Sequence, residues 1–224
     1  MTAIVVYEDY VCPYCLLAHD IIESAVRDAA PGGEVGIQWR PYELRPAPVP
    51  TLRVEDDYLP RVWRRSVYPL AERLGVRIVL PGISPQPRST LAFEGAVLAQ
   101  RQGVLREYND RVFRAFFQEE RDIGDIDVLT DVAGAVGIES EPFRHALDTL
   151  LLEPDHRDRL RDAERDRVTA VPTVIAGSYR TSGVPDPAAL RNAVARLAGG
   201  TDEPPDLTGG APGPRPGTST ASEI

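Results

Sequence analysis

Only two cysteines occur in the 224 residues, and they stand three apart in Cys12-Pro13-Tyr14-Cys15. Thiols at that spacing can close on each other, which suits thiol–disulfide exchange through a mixed disulfide. Their setting sharpens the idea. Ala3 to Tyr7 reads as a buried strand, and Ala18, Ile21, Ile22, Ala25, Val26 and Ala29 recur at the spacing of a helix face. Pro13 fits the first helical position, where a missing N–H costs nothing, and Pro31-Gly32-Gly33 ends the helix. Cys12 then sits at a helix N-terminus, where unpaired N–H groups and the helix dipole favour a thiolate. Thiols so placed have pKa values of about 3.5–7.5 against about 8.5 when free. Cys12 is therefore expected to be the accessible nucleophile, and Cys15 the buried, resolving thiol. Glu8 and Asp9 would oppose the thiolate if they point inward.

Other chemistries fit less well. A c-type haem site needs histidine after the second cysteine, and Leu16 stands there. Cys12, Cys15 and His19 form a possible zinc run, but only Cys15 and His19 would share a helix face, and a tetrahedral site needs a fourth ligand. His145 and His156, the other histidines, fall in other helices, and His19 itself reads as an exposed helical residue. Two cysteines serving only as small packing hydrophobes is the plain alternative. A structural disulfide across so short a loop would constrain the unfolded chain little. Redox chemistry leads, with no metal and no cofactor.

Composition narrows the setting. The 42% hydrophobic content is ordinary for a globular chain. No stretch approaches the roughly 20 apolar residues of a membrane span, so no membrane partner is expected. The N-terminus enters the first strand without a basic segment or cleavage site, which makes the cytoplasm the expected compartment. There a disulfide is usually transient and catalytic or redox-sensing. A net charge of −9 argues against nucleic acid. All 25 basic residues are arginine, read as codon bias; the Arg/Asp-rich run from His156 to Arg167 reads as a solvated helix face.

Val35, Ile37 and Trp39 alternate with Gly36, Gln38 and Arg40 as a half-buried strand. A proline-rich connection follows through Pro46, Pro48 and Pro50. Helical stripes then run through Leu59, Val62, Trp63, Val67, Leu70 and Leu74, with a kink expected at Pro69. Others run from Leu91 to Gln100, through Leu105, Tyr108, Val112 and Phe116, and from an Asp127 cap to Gly137. A further one starts at Ser140. Strand character returns at Pro172 to Ala176, and Gly177-Ser178 turns into Tyr179 to Ser182. Asp186-Pro187 caps a last helix. The resulting reading is a small α/β core interrupted by an all-helical insertion. Residues 1–40 form its first β-α-β half, 41–167 the helical insertion, and 168–198 the β-β-α half. Residues 199–224 carry six glycines and five prolines and are expected to be disordered.

The chain resembles the thioredoxin-fold proteins of the DsbA superfamily, most closely the cytoplasmic FrnE-like branch, over roughly residues 3–198. The resemblance rests on Tyr7-Glu8-Asp9-Tyr10-Val11-Cys12-Pro13-Tyr14-Cys15, on the helical insertion and on Thr169-Ala170-Val171-Pro172-Thr173. It implies that the α/β core is a thioredoxin-like fold interrupted by the all-helical insertion. It also implies a protein disulfide oxidoreductase in which Cys12 and Cys15 are catalytic and Pro13 and Tyr14 support them. It further implies that Val171-Pro172 is the family's cis-proline peptide, with the Val171 backbone open to an extended substrate. Polypeptide or small-molecule thiols and disulfides are the implied partners, and a homodimer is compatible with the sequence. The branch often has a Tyr-Ile-Gly-like run after the second cysteine, where this chain has Leu16-Leu17-Ala18-His19; that departure bears on substrate choice. On the same architecture, 2-hydroxychromene-2-carboxylate isomerases and kappa-class transferases use glutathione, generally with serine at the position of Cys12. A glutathione-using isomerase or transferase, and a non-catalytic binding protein or chaperone, are the alternatives.

Overall fold

A computed structural model describes residues 2–200. The expected disordered tail lies, from 201 onward, outside the described residues. Strand β1 (Thr2–Glu8) leads through helix α1 (Pro13–Ala29) to strand β2 (Val35–Pro41). Seven helices follow: α2 (Tyr58–Val62), α3 (Tyr68–Leu74), α4 (Thr90–Arg101), α5 (Leu105–Phe117), α6 (Ile126–Ala135), α7 (Ser140–Asp148) and α8 (Glu153–Arg165). Strands β3 (Thr173–Ala176) and β4 (Tyr179–Ser182) and helix α9 (Pro187–Ala198) are the last elements among the described residues. The sheet order is β2-β1-β3-β4, with β1 parallel to β2 and antiparallel to β3. This is a thioredoxin-like sheet with helices between its two halves.

The period-two alternation of β1 divides the core. Ile4 and Val6 pack with Ala18 and Ile22 of α1 and with Leu190 and Val194 of α9. Tyr7, on the opposite face, joins Cys12, Cys15 and the aromatic residues of α4 and α5 in the larger cluster. The Cys12–Cys15 motif therefore sits where the sheet meets the helices.

Three local expectations need adjustment. The disturbance expected at Pro69 takes the form of a widened turn just before it, over Trp63–Val67, where the Tyr68 N–H reaches back five residues to the Trp63 carbonyl. Pro69 has no N–H to give Arg65, and the widened turn absorbs that loss. The cap of α6 is Asp125, whose carboxylate accepts from the Asp127 N–H at 2.7 Å, so Asp127 is inside the helix. Finally, α8 is not merely solvated. Arg157–Glu153 and Arg161–Asp158 pair on its outer side, but His156 is buried against Glu43 at 2.7 Å. Asp162 and Asp166 turn to Arg40 of β2 at 3.6 and 3.4 Å.

Candidate active site

Cys12 is the N-cap of α1, in extended conformation, and Pro13 begins the helix. The Cys12 N–H donates to the Asp9 carbonyl at 2.9 Å, and the Cys15 N–H to the Cys12 carbonyl at 3.0 Å, so a tight turn joins strand to helix. Both thiols are free, and the Cys12 side chain lies within hydrogen-bonding reach of Cys15. The Cys12 thiol also donates to the Val171 carbonyl at 3.5 Å. That contact brings the loop before β3 onto the motif, across 159 residues of sequence. The Val171–Pro172 peptide is cis, and the Pro172 carbonyl accepts from the Gly183 N–H at 2.7 Å.

Accessibility differs from expectation. Both sulfurs are covered, with Cys12 4% exposed and Cys15 1% exposed. Val171, itself 8% exposed, covers Cys12 through the carbonyl contact. Cys15 is the deeper thiol: burial raises its pKa, the adjacent Cys12 adds to that, and the Asp9 N–H on its sulfur at 3.4 Å works against it. Beside Val11 a small recess of about 60 Å³ opens, walled by Leu44, Leu52, Leu59 and Pro87.

Glu8 and Asp9 do point inward, and the two are held differently. Asp9 lies among neutral donors: Val11 N–H at 3.2 Å, Leu44 N–H at 2.7 Å and the Ser89 hydroxyl. Burial pushes its pKa up to about 6, against those hydrogen bonds. Glu8 is held by His19 Nε2 at 2.6 Å and by the Asn109 amide at 2.9 Å, and Asn109 in turn accepts from the Tyr10 hydroxyl at 2.6 Å. Burial raises the Glu8 pKa while His19 draws it back. For His19, burial opposes the charge, but Glu8 and Asp110 outweigh it and push the pKa up to about 9.

His19 is therefore not the exposed residue that the sequence suggests. It is 5% exposed, stacked on Trp39 at 4.2 Å and edge-on to Phe113 at 4.8 Å. Its Nε2 is engaged with Glu8, so it does not complete a ligand set with the cysteines. A signal for this existed: Glu8 lies two residues after Val6 on the strand face that meets α1, and His19 lies on the stripe of Cys15 and Ile22. Nothing comparable announced Asn109 or Ser89, which arrive from distant helical segments.

The chain belongs to the DSBA-like thioredoxin domain family, whose model matches residues 3–195. It is 45% identical over 174 residues to the uncharacterized protein YwbO of Bacillus subtilis (strain 168), covering 77% of this chain and 85% of that protein. Among solved structures it resembles a probable DsbA oxidoreductase from Streptomyces coelicolor (TM-score 0.73, 21% identity, 92% of this chain and 94% of that one). A 2-hydroxychromene-2-carboxylate isomerase gives TM-score 0.69 at 17% identity over 88% of this chain and 96% of that one. The cytosolic disulfide reductase DsbM from Pseudomonas aeruginosa, solved with GSH, gives 0.62 at 17% identity over 85% and 96%. At these identities the solved structures establish the fold.

Proposed function

We propose that this chain is a thiol–disulfide oxidoreductase acting through Cys12 and Cys15. The observation that carries the reading is the seat of Cys12: at the amino end of α1, its sulfur lies between Cys15 and the Val171 carbonyl. That seat is the positive end of the α1 dipole. In the reducing direction the Cys12 thiolate attacks one sulfur of a substrate disulfide. An S–S bond forms to Cys12 and the other substrate sulfur leaves as a thiolate. Cys15 then gives up its proton and attacks the Cys12 sulfur, releasing the second substrate thiolate. Substrate gains two electrons and the cysteine pair loses two; oxidation of a dithiol substrate is the same sequence reversed. Pro13 sets the helix start and Tyr14 fills the turn between the thiols. Val171 and Pro172 line the side from which a substrate sulfur arrives, with the Val171 backbone pairing to an extended polypeptide. The apolar recess beside Val11 receives a neighbouring side chain.

Membership in the FrnE-like branch and a cytoplasmic setting belong to the same proposal, supported by the motif and by likeness to a cytosolic disulfide reductase. The test is a trapping pair. Cys15→Ser should accumulate mixed disulfides with protein or small thiols, and Cys12→Ser should lose insulin disulfide reduction and trap nothing. Equal residual activity in the two variants would overturn the assignment. A second reading, a glutathione-using isomerase, draws on the likeness to the chromene-carboxylate isomerase. Glutathione-dependent isomerisation that survives Cys15→Ser would favour it.

A further inference from the structure

Strand β2 lies at the edge of the sheet, and its free side opens into a trough. Five consecutive residues, Ile37 to Pro41, line the trough, so the strand presents its edge rather than one face. Gln100 and Leu105 form the wall from α4 and α5, and Arg159 and Asp162 the wall from α8. This section offers about 350 Å³. It shares Trp39 and Leu105 with a wider mouth bounded by Val26, Arg106 and Gly103, and with a narrow inner recess of about 10 Å³ that ends on Glu8 and Asn109. The main section is of a size that suits a small organic ligand.

The chemistry of the walls is uneven. Arg40 is fully engaged: it donates to Tyr7 at 3.0 Å, to Asp166 at 3.4 Å and to Gln38 at 3.2 Å, and pairs with Asp162. Asp162 is shared between Arg40 and Arg165. At the mouth Arg106 is held by both oxygens of Glu23 at 2.6 Å. Arg159 differs. Among the described residues it is the half-buried arginine that makes neither a hydrogen bond nor an ion pair, although it lines both the trough and its inner recess. Partial burial takes water from its guanidinium and lowers its pKa, and Asp155 and Asp162 act on it only at a distance. A planar fork of five donors with no acceptor in the protein is matched to a carboxylate. Trp39 supplies the apolar surface beside it: His19 stacks on one face of the indole, which leaves the other face and the edge for the trough.

We propose that the trough along β2 is a second binding site, for a small anion that joins a carboxylate to a flat apolar body. Arg159 receives the carboxylate, and Trp39 and Leu105 cover the body. Neither cysteine lines any section of the trough, although its inner recess reaches Tyr10 of the Cys12 turn.

The probe is 2-naphthoate, titrated calorimetrically into the full chain, with the neutral 2-naphthalenemethanol as its partner. One saturable site for the acid is expected, with the alcohol binding at least about tenfold more weakly, the equivalent of one charge-assisted contact. Arg159→Gln should weaken the acid to the level of the alcohol, and Arg159→Lys should recover part of the loss. Arg159 makes no hydrogen bond or ion pair among the described residues, so insulin reduction should not move in these variants, and Cys12→Ser should bind the probe unchanged. Absence of saturable binding, equal affinity for acid and alcohol, or unaltered binding by Arg159→Gln would each overturn the site. None of these outcomes touches the thiol reading.

Discussion

The two ends of β1 face the same helix and are built on opposite principles. At the first end Ile4 and Val6 meet Ala18 and Ile22, and the contact is wholly apolar. Two residues further along the same face, Glu8 meets His19 in a pair whose side chains are 2% and 7% exposed. Burying apolar surface is favourable by about 25 cal/mol per Å², whereas a buried charge must be offset by a partner and hydrogen bonds. A fold seeking stability alone would continue the first pattern. The change falls at the carboxyl end of β1, where open α/β sheets hold their sites, and beside the two cysteines. The difference teaches that ionisable groups were placed here against the grain of packing.

The largest effect should come from breaking the polar end. Glu8→Ala leaves His19 and Asn109 buried without their acceptor, and losing one partner of a buried pair costs about 3–5 kcal/mol. Urea unfolding at neutral pH measures it, and Glu8→Gln, which keeps an acceptor for the ring, should lose less. A loss under about 1 kcal/mol for Glu8→Ala would mean that the pair contributes no more than a surface pair does.

At the apolar end, Ile22→Ala removes a fully buried side chain between β1 and α9. Such truncations cost about 2–5 kcal/mol, depending on how far the cavity collapses. The contrast lies in function: thiol exchange per folded molecule should match the parent protein in Ile22→Ala and should shift in Glu8→Ala, because Glu8 acts electrostatically on Cys15. Equal activity changes in both would erase the distinction between the two ends.

Protons give a finer test. His19 has its pKa raised from 6.5 to about 9 in the fold. A base whose folded pKa is raised stabilises fully below its unfolded value, and that contribution is lost as pH rises from about 6.5 through 9. Asp9 is also raised, from 3.8 to about 6. The same sign applies: the protonated acid favours the fold below about pH 4, and that advantage of roughly 3 kcal/mol disappears as pH rises through 6. Unfolding free energy followed from pH 4 to 9 should contain both declines. Asp9→Asn should flatten the first and His19→Gln the second. A second decline that persists in His19→Gln would assign it to another group.

How much of this was legible beforehand divides along the same line. The apolar end was readable, because strand alternation and the helix stripe of Ala18, Ile22 and Ala25 are local patterns that burial enforces. The Cys12 turn was readable too, since Pro13 and the spacing of the two thiols carry their own geometry. His19 was misread for a physical reason: a histidine on a helix is ordinarily exposed, and its burial depends on Glu8 from β1, Trp39 from β2 and Phe113 from α5 converging on it. The resemblance did place Val171-Pro172 beside the cysteines; what it did not convey is that the Val171 carbonyl would lie on the Cys12 thiol and cover it. The widened turn before Pro69 and the cap at Asp125 were near misses, displaced by a turn or two residues, because proline and aspartate mark a helix disturbance without fixing its register.

The smallest effect concerns a carboxylate that is the counterpart of Asp9. Asp186 caps α9, accepting from the Ala189 N–H at 2.8 Å, with Pro187 at the first helical position. Both aspartates accept backbone N–H groups. Asp9 does so with no exposure, and Asp186 does so at the surface, where water shares the charge. Removing the cap by Asp186→Ala should therefore cost about 1 kcal/mol, the ordinary value for such a cap, and Asp186→Asn or Asp186→Ser should restore most of it. The loss is one hydrogen bond and the attraction of a negative charge to the helix start, and neither reaches the cysteines. The thermal midpoint should fall by a few degrees while trapping of mixed disulfides by the Cys15→Ser background stays unchanged. A fall in trapping would show that α9, packed on α1 through Leu190 and Val194, transmits strain to the Cys12 turn. The two ends of β1 would then be one mechanical unit.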